Sequence, residues 1–358
     1  MHVERLALVN LRCFERVSIE PHPGLNVLLG ENGSGKTSVL EALYLLSYGR
    51  SFRAGGSGAV VQRGAEAATI HAVVRDGNGT HRLGLTRGQR DWVARVDGQP
   101  VGTLGALVRL CPAVCVEPGS QLLVVGPAEH RRRFMDWGVF HVEQQFLEAW
   151  QHYRRALQQR NALLRTMVAG RQAEIWEQRM AEAAERIDGL RQAYLTRWFA
   201  CLKQQLAQWL PELGEPRWHY HRGWSATEPL DRVLATTRER DQVIGHTRAG
   251  AHRADWTLAF AEAPERHQLS RGQTKLLAIA CVLAQFEIFR AGHGEAPILL
   301  MDDLASELDQ SHTNRALRYV RSLDAQVWIT GTQLPADISL MQVFHVEHGQ
   351  ILPSRSSA

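Results

Sequence analysis

Eight residues constrain the fold of this chain more than any others. Gly30-Glu31-Asn32-Gly33-Ser34-Gly35-Lys36-Thr37 satisfies Gly-x-x-x-x-Gly-Lys-[Ser/Thr] at every fixed position. Ahead of it, residues 25–29 (Leu-Asn-Val-Leu-Leu) form a short apolar run of strand type. Behind it, Val39, Leu40, Leu43 and Leu46 recur at helical spacing. A glycine-rich loop between a strand and a helix start is suited to cradling phosphate. Its backbone N–H groups close around the β- and γ-phosphates, Lys36 reaches the same oxygens, and the Thr37 hydroxyl can ligate Mg²⁺. The pattern predicts a nucleoside triphosphate site over Gly30, Glu31, Asn32, Gly33, Ser34, Gly35, Lys36, Thr37 and Ser38 in an α/β fold.

A chain of 358 residues exceeds one small core, and one large or two linked domains are expected. Its net charge of +4 is compatible with nucleic acid without requiring it. Only Lys36, Lys203 and Lys275 are lysines among 41 cationic residues, so Lys36 is not one lysine among many. The arginine bias itself is what genomic base composition produces. Of the cysteines (Cys13, Cys111, Cys115, Cys201 and Cys281) only Cys111 and Cys115 are close in sequence, and no zinc pattern completes them. An odd count without a leader-like start predicts reduced thiols in a cytoplasmic protein. No run approaches the ~18 apolar residues of a membrane span, so no membrane partner is expected.

The first seventy residues read as strand, turn, strand, phosphate loop and helix. Residues 69–101 then alternate at strand spacing, through Ile70, Ala72 and Val74, then Leu83 and Leu85, with Val93 and Val96 flanking a weaker run. Turn signals at Asp76-Gly77-Asn78-Gly79 and Asp97-Gly98 predict an antiparallel meander with one wet face. From Glu143 the period becomes helical. One stripe runs through Phe146, Trp150, Tyr153, Leu157 and Leu164, and a second through Trp176, Met180, Ala183, Ile187, Leu190, Tyr194 and Trp198. A break near Gly170 makes these an αα-hairpin whose aromatics serve as core. After Ser270, a helix over residues 276–289 and strands over 297–301 and 326–330 suit a central parallel sheet. The resulting division is 1–135 (phosphate loop plus meander), 136–215 (helical hairpin) and 216–358.

Asp302 and Asp303 follow the strand Ile298-Leu299-Leu300-Met301. Asp302 fits the carboxylate that holds Mg²⁺ together with Thr37, and Asp303 fits a base that polarises the attacking water. Lys36, Asp302 and Asp303 are therefore the expected catalytic set.

Leu269-Ser270-Arg271-Gly272-Gln273 opens the long apolar helix and is similar to the signature of ABC-type ATPases. Ser306-Glu307-Leu308-Asp309 resembles their D-loop, carried by Ser306 and Asp309. In that class the signature acts in trans, so Ser270, Arg271, Gly272 and Gln273 would face ATP held by a second subunit. Thr330-Gly331-Thr332 lies where the class places a γ-phosphate sensor. Lys36 and Ser270 are 234 residues apart, farther than in a transporter subunit and nearer than in a chromosome ATPase with a long coiled coil.

Further segments resemble the RecF family of bacterial recombinational-repair ATPases. They are Leu8-Val9-Asn10-Leu11-Arg12-Cys13-Phe14, Gly49-Arg50-Ser51-Phe52-Arg53, Arg131-Arg132-Arg133-Phe134-Met135-Asp136, Gln159-Arg160-Asn161-Ala162-Leu163-Leu164 and Gly250-Ala251-His252-Arg253-Ala254-Asp255. The resemblance implies an ABC-type P-loop ATPase head with an antiparallel β-meander and an inserted α-helical lobe. It implies ATP and Mg²⁺ as cofactors, slow DNA-stimulated hydrolysis, and an ATP-dependent homodimer. The implied target is duplex DNA beside single-stranded gaps, with RecO- and RecR-like partners promoting RecA loading. Arg131, Arg132 and Arg133 are the densest candidate DNA contacts, with Arg154, Arg155, Arg160 and Arg165 on the first hairpin helix. The alternatives are the nucleotide-binding subunit of an ABC transporter, an SMC-type chromosome ATPase, and a non-catalytic ATP-gated scaffold.

Overall fold

The computed structural model describes residues 1–53, 57–166, 171–263, 268–303, 310–333 and 341–353. It divides into two compact units, Met1–Ser120 with Gln285–Ala358, and Gln121–Ala284.

The first unit begins with β1 (His2–Leu11), β2 (Phe14–Ile19) and β3 (Leu25–Leu29) ahead of the phosphate loop, one strand more than the sequence pattern reveals. Helix α1 (Lys36–Tyr48) follows, then the meander β4 (Ala67–Asp76), β5 (Gly79–Gly88), β6 (Trp92–Val96) and β7 (Gln99–Val101), then α2 (Gly105–Leu110) and β8 (Ala113–Val116). The antiparallel sheet runs in the order β2-β1-β4-β5-β6-β7. Its inner face carries Ile70, Ala72, Val74, Leu83, Leu85 and Ala94, all buried, as period-two alternation requires. Val93, expected to flank a core run, is 50% exposed because the register puts it on the opposite face from Ala94.

The second sheet of this unit is largely parallel. It contains β11 (Ile298–Met301), β12 (Val327–Gly331), β13 (Met341–Glu347) and β14 (Gln350–Pro353), in the order β14-β13-β3-β12-β11-β8. Only β14 is antiparallel to its neighbour. Every residue of β11 and β12 is buried, which is why both read as unbroken apolar runs. Helix α1 packs Val39, Leu40, Leu43 and Leu46 into the core shared by the two sheets, and Gly49 caps it at φ 68°.

The second unit holds α3 (Leu122–Val125), α4 (Ala128–Val142), α5 (Phe146–Arg165) and α6 (Arg171–Trp209), then β9 (Pro216–His221), α7 (Leu230–Thr236), α8 (Arg238–Ile244) and β10 (Asp255–Phe260). Helices α5 and α6 pack side by side as the expected hairpin. Tyr153, Met180, Ile187, Tyr194 and Trp198 are fully buried between them and their neighbours. The break near Gly170 lies outside the described residues. Helix α9 (Arg271–His293) begins in this unit and ends in the first, and α10 (Gln310–Arg321) precedes β12. Though no apolar run is unbroken, α9 is long and apolar enough by composition to cross a membrane; 72% of its apolar window is buried within the protein. Gln285 and Glu287 interrupt that window, which is why run length alone passes over it.

Three arginines stitch the second unit from inside. Arg131 forks onto Asp255 at 2.7 and 2.9 Å, and Arg191 onto Asp136 at 2.9 and 3.0 Å. Arg160 reaches Glu177 at 3.1 Å and Asp241 at 2.8 Å.

His252 sits in the same interior, with Nδ1 2.6 Å from the Tyr153 hydroxyl and Nε2 3.1 Å from the Thr247 carbonyl. Burial, with Arg253, Arg132 and Arg191 nearby, lowers its pKa from 6.5 to about 4. The folded protein therefore holds a neutral imidazole where the unfolded chain binds a proton. This stability is present above pH 6.5 and is lost as pH falls towards about 4. A His252→Gln variant should show a flatter urea midpoint across that window than the parent. Parallel pH profiles would dismiss the burial of a neutral His252.

Candidate nucleotide-binding site

The loop between β3 and α1 is held by its glycines. Gly33 lies at φ 82° and Gly35 at φ 116°, both in the left-handed region. A Cβ on Gly35 would meet Cys13 Sγ at 2.6 Å and the Phe14 ring at 2.9 Å, whereas one on Gly33 would meet nothing within 4 Å. Gly35 thus lets the loop rest on the β1–β2 hairpin, and Gly33 leaves its outer side open to a ligand. Ser38 N–H donates to the Gly35 carbonyl at 2.9 Å, starting the helix at the loop. Ser34 Oγ is buried without a protein partner, a polar atom suited to an oxyanion.

Lys36 Nζ donates to the carbonyls of Gly30 and Glu31 at 2.7 Å each. Burial lowers its pKa, against the pull of Asp303 and Asp302. Thr37 Oγ1 donates to Asp302 Oδ1 at 2.9 Å, and Thr330 Oγ1 donates to the same oxygen at 2.7 Å. Asp302 is 4% exposed, and burial raises its pKa while the two threonines oppose the rise. Asp303 lies at φ 51°, a costly region for a non-glycine residue, and its N–H donates to Thr330 Oγ1 at 2.8 Å. Lys36, Thr37, Asp303 and Thr330 line one cleft of about 470 Å³ with Asn32 and Arg53. The donor set of one hydroxyl and one carboxylate is hard oxygen, the chemistry that Mg²⁺ takes.

Two parts of this site escape motif reading. Thr330 ties both acids to the end of β12, although the sequence places it only near a sensor position. Glu41, fully buried on α1, receives the Arg12 guanidinium at 2.6 and 2.9 Å and the Ser51 hydroxyl, with Arg53 3.8 Å away. An acid inside the apolar run of α1 is the signal that could have revealed it.

The other expected residues are distributed elsewhere. Ser270 and Gln273 form a reciprocal cap, with Ser270 N–H donating to Gln273 Oε1 at 3.0 Å and Gln273 N–H to Ser270 Oγ at 3.2 Å. Arg271 and Gly272 are exposed at that helix start. This segment and the phosphate loop belong to different units. Ser306 and Asp309 lie outside the described residues. Arg131 is only 3% exposed, and its fork is spent on Asp255, which withdraws it from phosphate contact. Arg160, fully buried between two acids, is withdrawn for the same reason. Arg132 donates to the Ala254 carbonyl, and exposed Arg133 pairs with Glu129.

The RecF/RecN/SMC N-terminal domain model matches residues 2–350. The DNA replication and repair protein RecF of Stenotrophomonas maltophilia is 44% identical across 98% of this chain and 99% of the relative. Its counterpart in Xanthomonas euvesicatoria pv. vesicatoria is 45% identical, across 98% of each. The chain belongs to the RecF family. A RecF structure with ATP, described as a recombination mediator of the RecFOR pathway, shares the fold at TM-score 0.91 and 24% identity, covering 99% of this chain and 98% of that one. The Smc head domain of Pyrococcus furiosus matches at TM-score 0.55 and 15% identity, covering 98% and 96%. The ABC-type head expected from sequence is therefore the observed fold. RecF-family membership over the full length also removes the transporter-subunit alternative.

Proposed function

We propose that this protein is an ATP-dependent DNA-binding protein of replication and recombinational repair, with a slow DNA-stimulated ATPase. The observation that carries the reading is the convergence of Lys36, Thr37, Asp303 and Thr330 on one cleft, with Asp302 bonded to both threonines, in a RecF-family chain. The relatives are named for DNA replication and repair, and a matching structure carries ATP.

ATP would lie with its β- and γ-phosphates on the amides of residues 30–38 and on Lys36 Nζ. Mg²⁺, held by Thr37 and Asp302, would neutralise phosphate charge there. Asp303 would accept the proton of the water that attacks the γ-phosphate, giving ADP and phosphate. Ser270, Arg271, Gly272 and Gln273 would complete the site from a second subunit, aided by Ser306 and Asp309. Because ATP would touch both copies only in the closed dimer, it would favour closure by that difference in affinity. The closed dimer would bind duplex beside a single-stranded gap and, with RecO- and RecR-like partners, promote RecA loading.

Light-scattering mass with Mg²⁺, measured with and without ATP alongside retention of a gapped duplex, tests this reading. The expected result is a doubled mass and DNA retention that both depend on ATP. A monomer indifferent to ATP and DNA would overturn it.

A further inference from the structure

The wet face of the antiparallel sheet has a composition that the nucleotide site does not explain. Strand pairing places the outward residues in rows. Arg16, Val9, Thr69, Thr86 and Val93 form one row, Ser18, Ala7, His71, Gly84 and Arg95 the next, and Arg5, Val73 and Arg82 a third. Arg5, Arg16, Arg82 and Arg95 are all exposed; the first two rows hold no acid, and the third is closed by Asp97 beside Arg82. Among the described residues none of the four makes an ion pair, and Arg5 Nε donates to Ser18 Oγ at 3.2 Å. The nearest acids are occupied or peripheral. Glu4 is paired with Arg75 at 2.5 Å, Asp97 accepts the Arg82 backbone N–H at 2.7 Å, Glu20 lies just past the end of β2 at the register position of Arg5, and Glu15 stands near the start of β2 beside Arg16.

Between the arginines the surface is low. Ala7, Ser18, Thr69, Gly84 and Thr86 project little, so a rigid polyanion could lie against the sheet. With strands about 4.8 Å apart, Arg16 and Arg95, four strands apart, span about 19 Å. That exceeds the about 12 Å width of the major groove, so phosphates of both strands of a duplex fall within reach. The outward rows contain no Phe, Tyr or Trp, the residues on which single-strand binders stack bases.

We propose that this sheet face, through Arg5, Arg16, Arg82 and Arg95, binds the phosphate backbone of duplex DNA without reading its sequence. The inference rests on the DNA-binding reading above and gives it a surface.

The test is the salt dependence of binding to a fully paired duplex, read by fluorescence anisotropy with ATP and Mg²⁺ present. One variant combines Arg16→Ala, Arg82→Ala and Arg95→Ala, each an exposed side chain with no ion pair. A charge-matched control combines Arg217→Ala, Arg232→Ala and Arg240→Ala, exposed residues of β9, α7 and α8. Each phosphate contact contributes about 0.9 to the slope of log K against log salt, so the sheet variant should lose about 2–3 from that slope. Its ATP affinity and thermal midpoint should match the parent, and the control should keep the parent slope. An unchanged slope in the sheet variant would overturn the proposal. An equal loss in both variants would reduce the effect to net charge and also overturn it. A parent protein that binds no duplex at low salt would defeat the broader DNA-binding reading as well.

Discussion

Replacing Arg160 with alanine is expected to cost the helical unit about 3–5 kcal/mol, the loss typical when one member of a buried ion pair is removed. Arg160 is fully buried, with Nε on Glu177, Nη1 on Asp241 and the Thr247 hydroxyl, and Nη2 on the Leu234 carbonyl. Glu177 would keep a partner, because Arg238 Nη2 reaches it at 2.5 Å. Asp241 would not, since its Oδ1 is already unpartnered and Arg160 holds its Oδ2. A buried carboxylate left alone must protonate or draw in water, and either outcome favours unfolding. Domains of this kind are stable by about 5–15 kcal/mol, so the loss is a large fraction of the total. Urea unfolding followed by the fluorescence of Trp198, Trp209 and Trp256, all buried in this unit, reads it directly. Adding Asp241→Leu to Arg160→Met should recover part of the loss, because the lone charge is then removed too. A single-variant cost below about 1 kcal/mol would contradict burial of the triad, being the range of exposed pairs.

The same arginine marks the boundary of what the sequence discloses. Phosphate-loop chemistry is local: the loop and the strand ahead of it are contiguous, so Gly30 to Ser38 can be read as a motif. The acids after β11 are legible because β11 is buried on both faces and its end is abrupt. The meander was legible from period two, and even its wet face was foreseeable. Long-range pairings were not. Arg160 joins Asp241 across 81 residues, and Arg131 joins Asp255 across 124. Nothing in a helix full of arginines distinguishes the one that turns inward. Density of charge therefore pointed to Arg131, Arg132 and Arg133 for DNA, while the exposed arginines of the sheet, spread over β1, β2, β5 and β6, form a cluster only after the strands pair. Thr330 was hidden similarly, because its contact with Asp302 depends on β11 and β12 lying parallel in register.

The second large effect is on turnover. Asp302→Asn should lower ATP hydrolysis at least about 10²-fold, the scale seen when one preorganised electrostatic group leaves a phosphoryl or acyl transfer site. The amide oxygen can still accept from Thr37 and Thr330, which donate to Asp302 Oδ1 at 2.9 and 2.7 Å, so the loop should stay folded. What is lost is the negative charge that would hold Mg²⁺ with the Thr37 hydroxyl. ATP affinity measured with and without Mg²⁺ should then converge in the variant while remaining distinct in the parent. Lys36→Arg provides the complementary case. Nζ fits between two carbonyls at 2.7 Å each, a position for a compact ammonium and not for a planar guanidinium. Hydrolysis should be abolished while part of the ATP affinity survives, because charge is kept and geometry is not. Asp303→Asn separates the remaining role: affinity and Mg²⁺ dependence unchanged, turnover lost, as expected of a group that only accepts the proton of the attacking water. Full activity in any of the three variants would remove that residue from the catalytic set.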